Sequence, residues 1–438
     1  MKAQLSFVTL MAAAIAFADP ADPQVKNVKV SQDPMSRLVT VTYNLDEDAI
    51  VTMDVLTNGV SIGGANINHV SGDCFKLVTG DATNPKTLTW RPNKSWPDQR
   101  FDTPVVSVKI TAWAKDCPPD YMVVDLASGT QGNRLEFYPD ASFLPGGLTE
   151  NAIYKTTKLV MRHIPAANVI WTQSTSSDLG RDADVEVAHT VTMKNDYYIG
   201  VFEITQGQWH QFDSARNAKN TSGRADFCPM NNFGNANLRE EKCSATPSDW
   251  SSNFKDYGYP KTPKSDSFIG LLNARTLLTF ELPTEAQWEF ACRGELGRGD
   301  NVWNDGSSIT GTATDPALAQ LATYNTDCTT PVGSHEPNGW GLYDMHGNAE
   351  EIVADLHSAV PGWKGYTTAK GIYLNTDEAA LTDSTKATDG VAKCVKKGGG
   401  YNSPASSCRS ASRSHYNRNK AQNSGMTEGV RLVCPYGL

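Results

Sequence analysis

Positive charge is in short supply: 39 Lys and Arg face 48 Asp and Glu, a net charge of −9. The chain therefore lacks the basic footprint that nucleic acid or an anionic membrane surface requires of a partner. Long hydrophobic runs are absent after the first eighteen residues, so no later stretch approaches the length of a transmembrane helix. Histidine is scarce and scattered, with eight in 438 residues. Internal repeats and low-complexity tracts are absent, which argues against a solenoid or an array.

What is present begins with an export signal. Lys2 supplies a positive start, Leu5 to Ala16 is apolar except for Ser6 and Thr9, and Ala16-Phe17-Ala18 places small residues where a signal peptidase reads. Residues 1–18 are expected to be a signal peptide and the protein to be exported: periplasmic, cell-surface or secreted. No cysteine follows the apolar run, which argues against a lipid anchor. The remainder is too long for one compact core, so two domains are expected. An acidic chain rich in oxygen donors suits calcium better than polyanions. Nine cysteines lie beyond the signal, and export permits disulfides. Cys228 with Cys243 is a plausible local staple, and Cys74 could pair with Cys117.

Residues 19–126 read as strands. Val25 to Val30, Leu38 to Tyr43 and Ile50 to Val55 alternate apolar with polar residues, and Thr57-Asn58-Gly59 supplies a turn. This pattern indicates an antiparallel β-sandwich of immunoglobulin or fibronectin type. It holds no catalytic clustering of His, Asp or Cys. Residues 127–150, rich in Gly, Ser, Asp and Pro, read as a linker. From residue 151 the chain is loop-dominated α+β, with helix signals at Thr205 to Ala215, Asp266 to Leu278 and Pro283 to Arg293.

Four segments carry the chemistry. Tyr197 to Trp209 reads as a strand running into a helix capped by Thr205. Glu281 to Arg293 contains a helix with Glu285 at its positive end and the large apolar face of Trp288. Glu285 and Glu289 there read as dipole and surface charges. Pro337 to Glu351 places two carboxylates, Asp344 and Glu351, on either side of Gly and Asn. Such a loop can wrap carboxylates and carbonyls around one hard cation. His346 within it reads as a ring capping backbone rather than a metal ligand. The fourth segment runs from Lys397 to Arg413, and the chain closes with Gly429 to Val433.

In this order the four segments resemble the formylglycine-generating enzymes, or sulfatase-modifying factors. The resemblance implies a C-type-lectin-like fold for residues 151–438, with a small twisted sheet, flanking helices and long calcium-tied loops. It implies calcium held by the side chains of Asp344 and Glu351 and the carbonyls of Gly347 and Ala349. The family usually has Trp where Glu350 and Ile352 stand, so the packing beside that loop differs here.

The same resemblance also exposes a departure. The enzymes carry two cysteines, five residues apart, whose thiolates hold copper(I), a soft ion suited to such ligands. Here the second position is Cys408 and the first is Ser403, a hard and poor ligand, and Gly400 replaces a serine. Cys408 is thus the candidate catalytic residue, but a buried or disulfide-bonded role is the more ordinary state for it. Arg409, Arg413 and Arg431 read as braces for the C-terminal strands or partners of the acidic helix.

These residues imply a retained fold with altered chemistry: a non-catalytic module binding a glycan or a protein. The segment from Tyr401 to Gly425, dense in Asn, Ser, Tyr and Arg, has the composition of a recognition surface. The alternative is a copper-dependent oxidase that makes formylglycine on sulfatase cysteines. An iron-dependent sulfoxide synthase fits less well, because relatives of that kind draw metal histidines from an additional helical domain.

Overall fold

The structure, a computed structural model, describes residues 22–99, 105–129, 134–175, 177–183, 185–239, 263–294, 303, 305–356, 366–367, 372–373, 393–417 and 427–435. The expected signal peptide and Cys243 lie outside these residues. Among the described residues, no helix is long and apolar enough to cross a membrane. The chain forms mostly sheet with few helices. It divides into two compact units: the first takes the described residues up to Val124 and between Gln131 and Tyr154, the second those of Asp125–Thr130 and Lys155–Tyr436.

The first unit is all β. One sheet orders Val25–Gln32, Val39–Leu45, Asp81–Trp90 and Val70–Gly72, all antiparallel. In a second sheet, Ala49–Thr57 pairs with Val106–Trp113 on one edge and with Lys76–Val78 and Val60–Ser61 on the other. Side chains alternate across a strand, and Val39, Val41, Tyr43 and Leu45 are accordingly buried while their neighbours are not. Asn58 and Gly59 both take positive φ, 52° and 79°, which matches the turn expected between two strands of right-handed twist. The segment read as a linker contains structure: Leu135–Tyr138 pairs antiparallel with the strand at Tyr121, and Phe137 is fully buried. Its Gly- and Pro-rich composition masked that short apolar run.

In the second unit Lys158–Ile164, Tyr197–Gly200 and Val433–Pro435 form one antiparallel run. A second sheet orders Ser414–Asn417, Lys393–Lys397, Glu350–Leu356 and Glu428–Gly429, the last pair parallel. Three helices matter: α1, Gln206–Trp209; α2, Phe268–Thr276; and α3, Glu285–Cys292. Capping boxes start α1 and α3, pairing Thr205 with Gln208 and Thr284 with Gln287. The first helix is much shorter than its signal suggests. Asp213 accepts from Ala215 N at 3.0 Å, a local turn that competes with helical hydrogen bonds.

The core of this unit joins Tyr197 and Ile199 to Trp288 and Phe290 of α3 and to Leu342, Val353, Val395 and Val433. The motif segments therefore meet around one helix. Sequence separation of more than 200 residues between Tyr197 and Val433 is closed by direct strand pairing of Tyr197–Gly200 with Val433–Pro435.

Candidate functional site

The double glycine before Ser403 turns the chain in the left-handed region. Gly398 and Gly399 have φ of 84° and 67°, and glycine takes such angles without a Cβ penalty. A Cβ on Gly399 would stand 2.7 Å from Cys408 Sγ, and one on Gly398 would press on the Trp288 ring. Gly400 is different: a Cβ there would meet only ordinary contacts, so the serine seen in the resembling enzymes is missing for no steric reason. Ser403 Oγ accepts from Gly400 N at 2.9 Å, and Ser403 N donates back to Gly400 O. The hydroxyl thus closes a turn.

Cys408 is fully buried with a free thiol. Burial, with the charge of Glu350 added, pushes its thiol far above the ordinary cysteine range. The thiolate is the form that binds soft metals and attacks electrophiles, and this enclosure works against it. With the hard hydroxyl of Ser403 in place of the first thiolate, the pair offers at most one soft donor for copper(I). His346 Nδ1 lies 2.7 Å from the Cys408 carbonyl. Burial lowers the imidazole pKa to about 4, so the ring is neutral and Nδ1 donates. The expected backbone-capping role is what it performs.

Asp344 and Glu351 are both buried at the centre of the second unit. Asp344 Oδ2 accepts from Gly333 N at 2.7 Å, whereas its Oδ1 is buried with no hydrogen-bond partner. Glu351 is fully engaged: Arg431 donates to both its oxygens at 2.8 to 3.1 Å, and Trp288 Nε1 donates to Oε2 at 2.6 Å. Arg431 also reaches the carbonyls of Gly200, Val201 and Tyr343. A third carboxylate, Glu203, was not singled out from the sequence. It accepts from Asn348 Nδ2 at 2.7 Å and Ala349 N at 2.8 Å. Burial first, then the charges of Asp344 and Glu351, raise Glu203 well above the usual carboxylate range. Burial likewise raises Asp344.

Three buried carboxylates thus face one guanidinium, and the orphaned Asp344 Oδ1 fits a bound cation. Of these three, Asp344 is the side chain with an oxygen left unsatisfied. Glu351 accepts from three N–H groups, Nε and Nη2 of Arg431 and Nε1 of Trp288. Among the described residues no group of three or more His, Cys, Asp or Glu is gathered as a ready-made metal centre.

Around this loop runs a buried ionic network that the sequence hid. Glu285 and Glu289 read as surface charges, yet they are 5% and 0% exposed. Lys397, also interior, pairs with Glu289 at 3.0 Å and Glu285 at 3.5 Å. Arg293 pairs with Glu289 at 2.8 Å and Arg413 with Glu285 at 2.7 Å. Arg409 clasps Glu186 with two 2.7 Å hydrogen bonds. The three arginines brace the C-terminal segments, as expected, and a bidentate guanidinium is well suited to that task. The expected Cys74–Cys117 disulfide is not formed, since Cys74 carries a free thiol.

With the four motif segments gathered on one core, the family can be stated. The family described as sulfatase-modifying factor enzyme 1-like domain matches residues 156–435. The chain belongs to this sulfatase-modifying factor family. It is similar to the formylglycine-generating enzyme of Bos taurus, 30% identical over 173 residues, covering 35% of this chain and 39% of that enzyme. It is also similar to that of Streptomyces coelicolor, 38% identical over 92 residues, covering 18% and 26%. The chain thus spans at most about two fifths of the length of these relatives. Among solved structures it resembles Treponema denticola variable protein 1, at 19% identity and a TM-score of 0.43 over 64% of this chain and 95% of that one. PvdO from Pseudomonas aeruginosa is comparable, at 20% and 0.41 over 63% and 94%.

Proposed function

We propose that this sulfatase-modifying-factor-like protein is an exported, non-catalytic module that binds a glycan or a protein, its loops tied by calcium at Asp344, Gly347, Ala349 and Glu351. A C-type-lectin-like core, and an immunoglobulin- or fibronectin-like sandwich in the first unit, belong to the same reading. One observation carries it: where the resemblance expects the first copper thiolate stands Ser403, whose hydroxyl closes a turn, five residues before the buried Cys408. A hydroxyl is a hard and poor ligand for copper(I). The exposed Asn402 and Pro404 on the same loop leave the polar edge available to a ligand; the part of the expected recognition surface from residue 418 to 425 lies outside the described residues.

The second reading, a copper-dependent oxidase acting on sulfatase cysteines, draws on the names of the curated relatives. One experiment separates the two. The purified protein is loaded with copper(I) and offered a Cys-X-Pro-X-Arg peptide, the motif that the resembling enzymes modify. No product is expected; formylglycine in the mass spectrum would overturn the binding-module reading.

A further inference from the structure

Cys228 and Cys328 lie outside the Ser403–Cys408 segment and take no part in the site described above. Cys228 is fully buried, Cys328 is partly exposed, and both thiols are free. The Cys228 thiol donates to Ser222 O at 3.2 Å. Ser222 is in turn fastened to the residue after Cys328: its N and Oγ both donate to Thr329 O, at 2.9 and 3.0 Å. Thr329 N donates to Asn220 O at 2.8 Å, and the two segments form a parallel bridge at Thr221 and Thr329. A second tie, Val332 N to Phe227 O at 2.9 Å, falls one residue before Cys228.

Both cysteines therefore flank one short bridge, although 100 positions separate them in the chain. Burial is the main cause pushing the Cys228 thiol up to about 11, with Thr329 opposing and the charges of Glu203 and Cys328 adding to it.

We propose that Cys228 and Cys328 are a reversible disulfide pair that clamps the segment from Asn220 to Ser222 onto Thr329. The oxidant is a small-molecule disulfide such as oxidised glutathione. Cys328, the accessible member, attacks it as the thiolate, releasing one small thiol and forming a mixed disulfide. Cys228 then loses its proton and displaces the second small thiol. Two protein S–H bonds and one small-molecule S–S bond are exchanged for one protein S–S bond and two small thiols. The clamp stands at the foot of the loop carrying Ser403. Asn220 Nδ2 donates to Tyr401 Oη at 2.8 Å, Thr326 N to Tyr401 O at 2.7 Å, and Asn325 N to Ser403 O at 3.1 Å. Closing the disulfide stiffens that loop's support.

The test uses the native, unmutated protein, incubated with oxidised glutathione, alkylated, digested and analysed by mass spectrometry. A peptide containing Cys228 joined to one containing Cys328 is the expected product, with both thiols lost from titration. Cys228→Ser should leave glutathione on Cys328, and Cys328→Ser should leave Cys228 unmodified. Three results would overturn the proposal: stable glutathione on Cys328 beside a free Cys228 in the unmutated protein, a link from Cys228 to Cys243, or no thiol loss at all.

Discussion

Lys397 is enclosed by protein, and two glutamates hold it there at 3.0 and 3.5 Å. Removing a buried ion-pair partner is strongly destabilising, and Lys397 serves both glutamates at once; without it they are left to Arg293 and Arg413. Lys397→Met is therefore expected to destabilise the fold by about 3–5 kcal/mol in urea unfolding, and a cost below about 1 kcal/mol would contradict the network. Glu289 makes the same network pH-sensitive. Burial opposes its ionisation, but Lys397 and Arg293 outweigh that and hold its pKa near 2 rather than 4.5. A carboxylate with a depressed folded pKa adds stability that is complete above the unfolded value and fades as pH falls through the folded one. Stability should thus drop between roughly pH 4.5 and pH 2 by about 3 kcal/mol on this group's account. Glu289→Gln should flatten that part of the profile, measured as urea midpoint against pH. None of this was legible beforehand, because a glutamate on an amphipathic helix looks alike in sequence whether its face meets water or a lysine.

The helices of the second unit could be located in advance, but their ends only to within a few residues. Thr284 and Gln287 form a reciprocal cap at the start of α3, with Thr284 Oγ1 accepting at 3.1 Å. Thr284→Ala should cost about 1 kcal/mol of stability. The end of α2 predicts the opposite sign. Leu277 sits in the left-handed region at φ 62° and is 89% exposed, where a leucine has an unfavourable backbone and little packing to compensate. Leu277→Gly is expected to stabilise by about 1 kcal/mol, read from the thermal midpoint. A leucine at this position is no stop signal, so the expected helix ran two residues further, to Leu278. Beyond α1, Asp213 accepts from Ala215 N in a local turn where the sequence suggested more helix. Local hydrogen bonds decide such boundaries, and composition resolves them poorly.

For the whole molecule, the test of the acidic centre is calcium removal. If a cation satisfies Asp344 Oδ1, ligand linkage stabilises the folded state, by about 2.7 kcal/mol at roughly a hundredfold excess over Kd. A chelator should lower the melting temperature of the wild type and leave Asp344→Ala unaffected. An unchanged wild-type melt removes calcium from the account. Arg431 would then be left to offset Glu203, Asp344 and Glu351, the three carboxylates that act on it.

The sequence by itself determined the all-β character of the first unit, the order of the four motif segments and the family they belong to. Those are properties of residue type and spacing along one chain. Tertiary structure alone decided that Glu203 joins Asp344 and Glu351, that Glu285 and Glu289 are interior, and that Cys408 is enclosed. Each depends on burial and on charges brought from distant positions, as when Arg431 reaches Glu351 across 80 residues. The energy of a charge is set by its surroundings, and those surroundings exist only once the chain has closed around them.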